Sequence, residues 1–166
     1  MVIAATPVLP YALDRTESEA IMLRGIHPLL APDLLHTLAA MGHGDRIAVV
    51  DANFPALSHA KRLIALPGVT APAVLEAILS VLPVDDFEPH PVSVMQVVGD
   101  AAMIPEAVRE FIVILAHNDL APPARLERHA FYRAAADAFA VVQTGERRFY
   151  GNILLTKGVV PPDTPS

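Results

Sequence analysis

The stretch Pro32-Asp-Leu-Leu-His-Thr-Leu-Ala-Ala-Met41-Gly-His-Gly-Asp-Arg-Ile47-Ala-Val-Val50-Asp51 decides the fold class. Pro32 suits a first helical turn, where its missing N–H is no loss, and Leu34, Leu35 and Leu38 fall on one face of the helix that follows. The spacing predicts a helix over Pro32–Met41, stopped by Gly42. Ile47–Val50 is an unbroken apolar run rich in β-branched residues, the pattern of a strand covered on both faces. Helix, short loop and buried strand in close succession form one unit of an alternating architecture.

The same alternation continues outward from this unit. Ser58–Leu66 reads as a helix ended by Pro67-Gly68. Thr70 is placed to cap a further helix, with Pro72 in its first turn, Leu75, Ile78 and Leu79 on one face, and Pro83 beyond its end. Val92–Val98 reads as a strand closed by a Gly99-Asp100 turn. Pro105–His117 is a helix whose Glu106 suits the positive end of the dipole. Ala130–Ala138 is a helix running directly into a strand over Phe139–Gln143, and Ile153–Thr156 is a last short strand. The 16 prolines fall almost wholly at helix starts, bends and tails, so they punctuate the elements. The fold class read from this order is α/β: a layered domain with a mainly parallel sheet covered by helices on both faces. Residues 1–21 read as an N-terminal extension, 22–160 as the domain and 161–166 as a C-terminal tail.

Composition narrows the function. The 166 residues are 53% hydrophobic and 18% charged, with a mean hydropathy of +0.42. No apolar run approaches the ~20 residues that a membrane-spanning helix needs. The surplus therefore belongs in a core and in subunit interfaces, and a homo-oligomer is expected. The chain has no cysteine, which excludes disulfides, thiolate-held metals and thiol catalysis. The net charge of −6, without a run of Lys or Arg, argues against a nucleic-acid partner. The first basic residue is Arg15, after the apolar start, the reverse of a secretory signal, so a cytoplasmic location is expected. Neither Gly-x-Gly-x-x-Gly nor Gly-x-x-x-x-Gly-Lys-Ser/Thr occurs, so nucleotide phosphate cradles are not expected.

Four clusters carry chemistry. His43 lies between Gly42 and Gly44 in a loop open to close approach, and imidazole exchanges protons near neutrality. Asp51 follows the strand Ile47–Val50 at its carboxyl end, the edge where open α/β sheets bind ligands; it serves equally well in an Asx turn. Tyr150, Gly151 and Asn152 offer donors, acceptors and close backbone contact suited to a neutral polyol, or plain turn chemistry. In the same segment Arg147 and Arg148 read as solvated charges. Arg125, Arg128, His129, Tyr132 and Arg133 form the fourth group, in which 128 and 132 share one helix face.

Taken together, the motifs resemble a known family. Met41-Gly-His43-Gly-Asp45, Asp51-Ala-Asn-Phe-Pro55, Ala130-Phe-Tyr132, Thr144-Gly-Glu146, Tyr150-Gly-Asn-Ile-Leu-Leu155 and Lys157-Gly-Val159 are similar, in this order, to the L-fucose mutarotase and D-ribose pyranase family. The likeness runs from about Met22 to Val160, and the Gly-His-Gly-Asp and Tyr-Gly-Asn forms resemble the fucose mutarotase branch. The resemblance implies an isomerase that interconverts anomers of free monosaccharides, L-fucose or a related sugar, without a cofactor or a metal. It implies His43 as general acid/base, with Asp51, Arg128, Tyr150, Gly151 and Asn152 as sugar-binding residues. It also implies a ring-shaped homodecamer. Two alternatives compete: a non-catalytic sugar-binding or transport-accessory protein of the ribose pyranase type, and a metal-dependent sugar enzyme with His43 and Asp51 as ligands.

Overall fold

In a computed structural model the described residues are 23–162. The readings of residues 1–21 as an extension and of 163–166 as tail fall outside them. Eleven elements follow in order: α1 Pro32–Ala40, β1 Arg46–Val50, α2 Ala56–His59, β2 Leu63–Leu66, α3 Ala71–Leu79, β3 Val92–Met95, α4 Glu106–His117, β4 Ala124–Leu126, α5 Arg128–Asp137, β5 Ala140–Thr144 and β6 Ile153–Thr156. The strands form a single six-stranded sheet in the order β2-β5-β1-β6-β3-β4. β5 is parallel to both β1 and β2, and β3 is parallel to β4. β6 is antiparallel to both of its neighbours, β1 and β3. Five strands therefore run one way and β6 alone runs back, so the sheet is mixed but mainly parallel.

Helices cover both faces. Along β1 the side chains alternate: Ile47 and Val49 enter one core with Leu34, Val74, Leu75, Ile78, Phe111 and Leu115 from α1, α3 and α4. Ala48 and Val50 enter the other, with Phe54, Phe131, Ala135 and Ala138 around α2 and α5. The second layer is built largely of alanine, which lets α5 lie close over β1. No helix among the described residues is long and apolar enough to cross a membrane.

Three readings of the sequence are corrected. Ser58–Leu66 is not one helix: α2 ends at His59 and Leu63–Leu66 is the edge strand β2. Its apolar spacing suits either form, and pairing of Leu63–Leu66 with Val141–Thr144 of β5 decides for the strand. The strand from Val92 stops at Met95, short of Val98. Thr70 holds the N-cap position of α3, but its side chain makes no capping hydrogen bond. Pro72 removes one of the two amides that such a side chain could reach. The three-residue strand β4 is a further element that periodicity does not reveal.

Candidate functional site

The reversed strand creates the site. β5 ends at Thr144 beside the carboxyl end of β1, and the chain must cross over β1 before descending as β6. Residues 145–152 make that crossing and are stitched to what lies beneath. The Thr144 hydroxyl donates to the Val50 carbonyl at 2.9 Å, and the Ala52 N–H donates to the Glu146 carbonyl at 2.8 Å. The loop thus roofs the edge of the sheet where a topological switch point makes room for a ligand.

Asp51 is buried beneath this roof. It forms a reciprocal pair with Asn152: the Asn152 Nδ2 donates to Asp51 Oδ2 at 2.8 Å, and the Asp51 N–H donates to Asn152 Oδ1 at 2.9 Å. The Asn53 N–H donates to Asp51 Oδ1 at 3.0 Å, so the Asx turn and the site use the same carboxylate. Burial raises the Asp51 carboxyl above its ordinary range, against the lowering effect of hydrogen bonds from Asn53 and Asn152.

A cavity of about 290 Å³ opens in front of the pair. Its polar lining includes Asp51, Arg128, Tyr132, Tyr150 and Asn152, and its apolar lining Phe54, Met95 and Phe149. Arg128 is the first residue of α5, which Glu127 caps by accepting from the N–H groups of His129 at 2.8 Å and Ala130 at 3.1 Å. One turn on, Tyr132 packs edge-on against Phe54 at 5.2 Å between ring centroids. Tyr150 accepts the Val98 N–H on its hydroxyl at 3.2 Å, which leaves the phenolic proton to be donated. Gly151 is buried between Tyr150 and Asn152, and a Cβ there would lie 2.7 Å from Glu146 Cγ.

His43 stands elsewhere. It precedes β1, whereas Asp51 follows it, so the two lie at opposite ends of the strand and are not brought together within one chain. At that opposite edge the His43 Nε2 lies 3.0 Å from Asp85 Oδ1, with side-chain exposures of 50% and 2%. The Asp85 Oδ2 accepts the Glu88 N–H at 3.0 Å. Burial raises the Asp85 carboxyl, but hydrogen bonds from His43, Glu88 and Phe87 outweigh it and hold the group below its ordinary value. Phe87, 71% exposed, meets the imidazole edge-on at 5.6 Å. This is a half-exposed imidazole oriented by a buried carboxylate, the arrangement that fixes a histidine for proton transfer. Among the described residues no three His, Asp or Glu side chains converge as metal ligands.

Sequence reading names Asp51, Arg128, Tyr150, Gly151 and Asn152 as sugar-binding; all but Gly151 line one cavity, together with Tyr132, read only as sharing a helix face with Arg128. It missed Asp85, 42 positions from its histidine, and the apolar walls Met95 and Phe149. It also misread Arg148, which is no solvated charge: its guanidinium is shared among Glu146, Glu106 and Glu110.

The model of the RbsD/FucU transport protein family matches residues 24–160. A Glaesserella parasuis protein described as L-fucose mutarotase is 45% identical over 142 residues, 84% of this chain and 97% of that one. An Actinobacillus pleuropneumoniae protein of the same description is 39% identical over 142 residues, covering 84% and 99%. The crystal structure of the fucose mutarotase from Streptococcus pneumoniae in complex with L-fucose is similar with a TM-score of 0.79 at 39% identity, over 84% of this chain and 100% of that one.

Proposed function

The chain belongs to the RbsD/FucU transport protein family, and from that premise we propose that it is a cofactor-independent isomerase that interconverts the anomers of free monosaccharides, L-fucose foremost. The observation that carries the reading is the cavity, in which one carboxylate, two amides, one guanidinium and two phenols converge beside apolar walls. Neutral sugars are recognised by such fixed hydrogen-bonding groups, with aromatic rings against their C–H faces. The relatives described as L-fucose mutarotases support the choice of sugar.

The reaction needs only moving protons. A base takes the anomeric O–H proton, an acid gives one to the ring oxygen, and the bond between C1 and the ring oxygen breaks to leave an open-chain aldehyde. Rotation about C1–C2 and closure on the other carbonyl face, with the protons returned, yield the other anomer. No electron is transferred, so the balance requires no redox partner.

In this reading Asp51 and Asn152 accept and donate to sugar hydroxyls, Arg128 donates, and Tyr150 binds a sugar hydroxyl through its free phenolic O–H. Gly151 keeps the backbone close. His43, held by Asp85, moves the proton. Because His43 and the cavity lie at opposite edges of one chain, His43 of a second copy serves each cavity, within a ring homodecamer. The exposed Phe87 beside His43 and Phe149 beside the cavity are the apolar surfaces that such a junction would cover.

Exchange NMR on equilibrated L-fucose tests the proposal. Anomer exchange accelerates on adding the protein, is unaffected by EDTA, and falls about 10²–10⁴-fold in His43→Ala, the usual contribution of general acid–base catalysis. Sugar binding without faster exchange would instead favour a non-catalytic sugar-binding role. Loss of activity in EDTA would favour a metal-dependent enzyme.

A further inference from the structure

Tyr150 is held in an uncommon backbone conformation, and hydrogen-bonded side chains stand on both sides of it in the chain. Its φ is +63°, in the left-handed region that costs a non-glycine residue ~1–2 kcal/mol. Such a conformation persists only where neighbouring contacts over-determine it. On the carboxyl side Asn152 is locked to Asp51. On the amino side stands a compact ionic clamp that the proposed reaction does not use.

Glu146 forms the centre of that clamp. Its side chain is only 3% exposed. Oε1 accepts from the Arg148 N–H and Nε, each at 2.9 Å, and Oε2 accepts from Nη2 at 2.8 Å. The fork geometry is one that only arginine offers. The other side of the guanidinium reaches α4, where Nη1 lies 3.2 Å from Glu106 Oε1 and also bonds Glu110. The Arg148 side chain, first of all causes, holds the Glu146 carboxyl below its ordinary value, against burial. Charge-assisted bonds of this kind are about twice as strong as neutral ones. The clamp thus fixes residues 146–148 against α4, while Glu146 Cγ packs where only the bare Cα of Gly151 fits.

We infer that Glu146 and Arg148 are positioning residues: their ion pair holds Tyr150 in its left-handed conformation and thereby sets the affinity of the cavity for sugar. The inference rests on the mutarotase reading for its kinetic consequence, but its structural half stands alone. Neither side chain lines the cavity, so both act through Tyr150.

The chain has three tyrosines, at positions 11, 132 and 150, which makes fluorine NMR of 3-fluorotyrosine-labelled protein a direct readout. Tyr132→Phe and Tyr150→Phe assign the signals. In Arg148→Met and Glu146→Gln the Tyr150 resonance shifts or broadens without sugar present, while that of Tyr132 stays. In exchange kinetics the KM for L-fucose rises about tenfold with kcat within about twofold, the signature of lost binding geometry. Arg148→Lys, which keeps the charge but loses the fork, gives a smaller shift and an intermediate KM. Glu110→Gln, which removes only an outer partner, moves the same resonance least and guards against misfolding of the stronger variants. An unmoved Tyr150 resonance in folded Arg148→Met overturns the inference, as does a moved one with unchanged KM. If the parent protein accelerates no sugar exchange, the mutarotase reading fails, and the fluorine spectra with sugar titration still decide whether the clamp positions Tyr150.

Discussion

Asp51 carries opposite demands. A sugar hydroxyl needs its carboxylate, while burial favours the protonated acid. Because the folded pKa is raised, the folded state holds this proton more firmly than the unfolded chain does. That contribution to stability is present below the ordinary value of 3.8 and is lost as pH rises through the folded one. At neutral pH Asp51 therefore costs stability in exchange for a binding group. The expected result is a KM for L-fucose that rises on the acid side at a pH above the ordinary carboxylate range. In Asp51→Asn, KM is high at every pH and that acid limb is flat. KM–pH profiles of the two proteins check this. Asp85 presents the reverse case. Its pKa is lowered, so its contribution to stability is present above the ordinary value and disappears as pH falls through the folded one. Asp85→Asn removes the charge that orients His43, so kcat falls, by about tenfold or more, with KM little changed, and the substitution adds nothing in a His43→Ala background. Single-turnover exchange rates of the two single variants and the double variant measure that coupling. Residue chemistry was legible where it was local. Asp51 follows a readable strand, and Tyr150, Gly151 and Asn152 form one short motif. The His43–Asp85 pair was not legible, because nothing near Pro83-Val-Asp-Asp86 marks which carboxylate folds back on a loop 42 positions away.

Among the elements, those with strong patterns were read to within a residue or two: α1, β1, α4 and β6 match their sequence spans closely. The failures occur where tertiary pairing outweighs local pattern. β2 exists because β5 offers it an edge, and β4 because β3 does. The reversal of β6 is invisible in its sequence, since Ile153–Thr156 is buried along its whole length whichever way it runs. Yet that reversal makes the loop 145–152 and therefore the cavity. The loop tolerates little at its entry. A Cβ on Gly145 would lie 2.0 Å from the Pro67 carbonyl oxygen, a backbone atom tied into the turn before α3. Gly145→Ala therefore costs about 1–3 kcal/mol of stability as the backbone is forced apart. At Gly151 the nearest obstacle is a side chain, that of Glu146, at 2.7 Å, which yields only by loosening its bonds to Arg148. Gly151→Ala should lose less stability than Gly145→Ala and more sugar affinity for its size. Urea midpoints together with sugar titrations on the two variants separate the effects, and equal stability losses would mean that the clamp at Glu146 is as rigid as the backbone.

At the scale of the whole molecule, 53% hydrophobic residues against 18% charged called for burial beyond one core. Two cores use part of that surplus. Part of what is left lies on the surface in telling places: Phe87 beside His43 at one edge of the sheet, and Phe149, Val98 and Met103 around and beyond the cavity at the other, each more than half exposed. On the proposed reading one chain carries a proton-transfer pair without a cavity and a cavity without its histidine, each bordered by apolar surface. Such halves are completed by a head-to-tail contact, which closes into rings when the rotation between copies allows. On that reading activity is a property of pairs, and mixing reveals it. His43→Ala is nearly inactive alone, and so is Asp51→Asn at sugar concentrations far below its raised KM. Unfolded together in equal amounts and refolded as mixed oligomers, they regenerate some sites that take His43 from one copy and Asp51 from the other. Random assembly makes these about a quarter of all sites, so exchange NMR should recover about a quarter of the parent activity. Separately refolded variants combined afterwards stay inactive for as long as the rings do not exchange subunits. Recovery of nothing in the co-refolded sample, with oligomer size unchanged, would sink the shared site, because it would mean that both residues must act from the same chain.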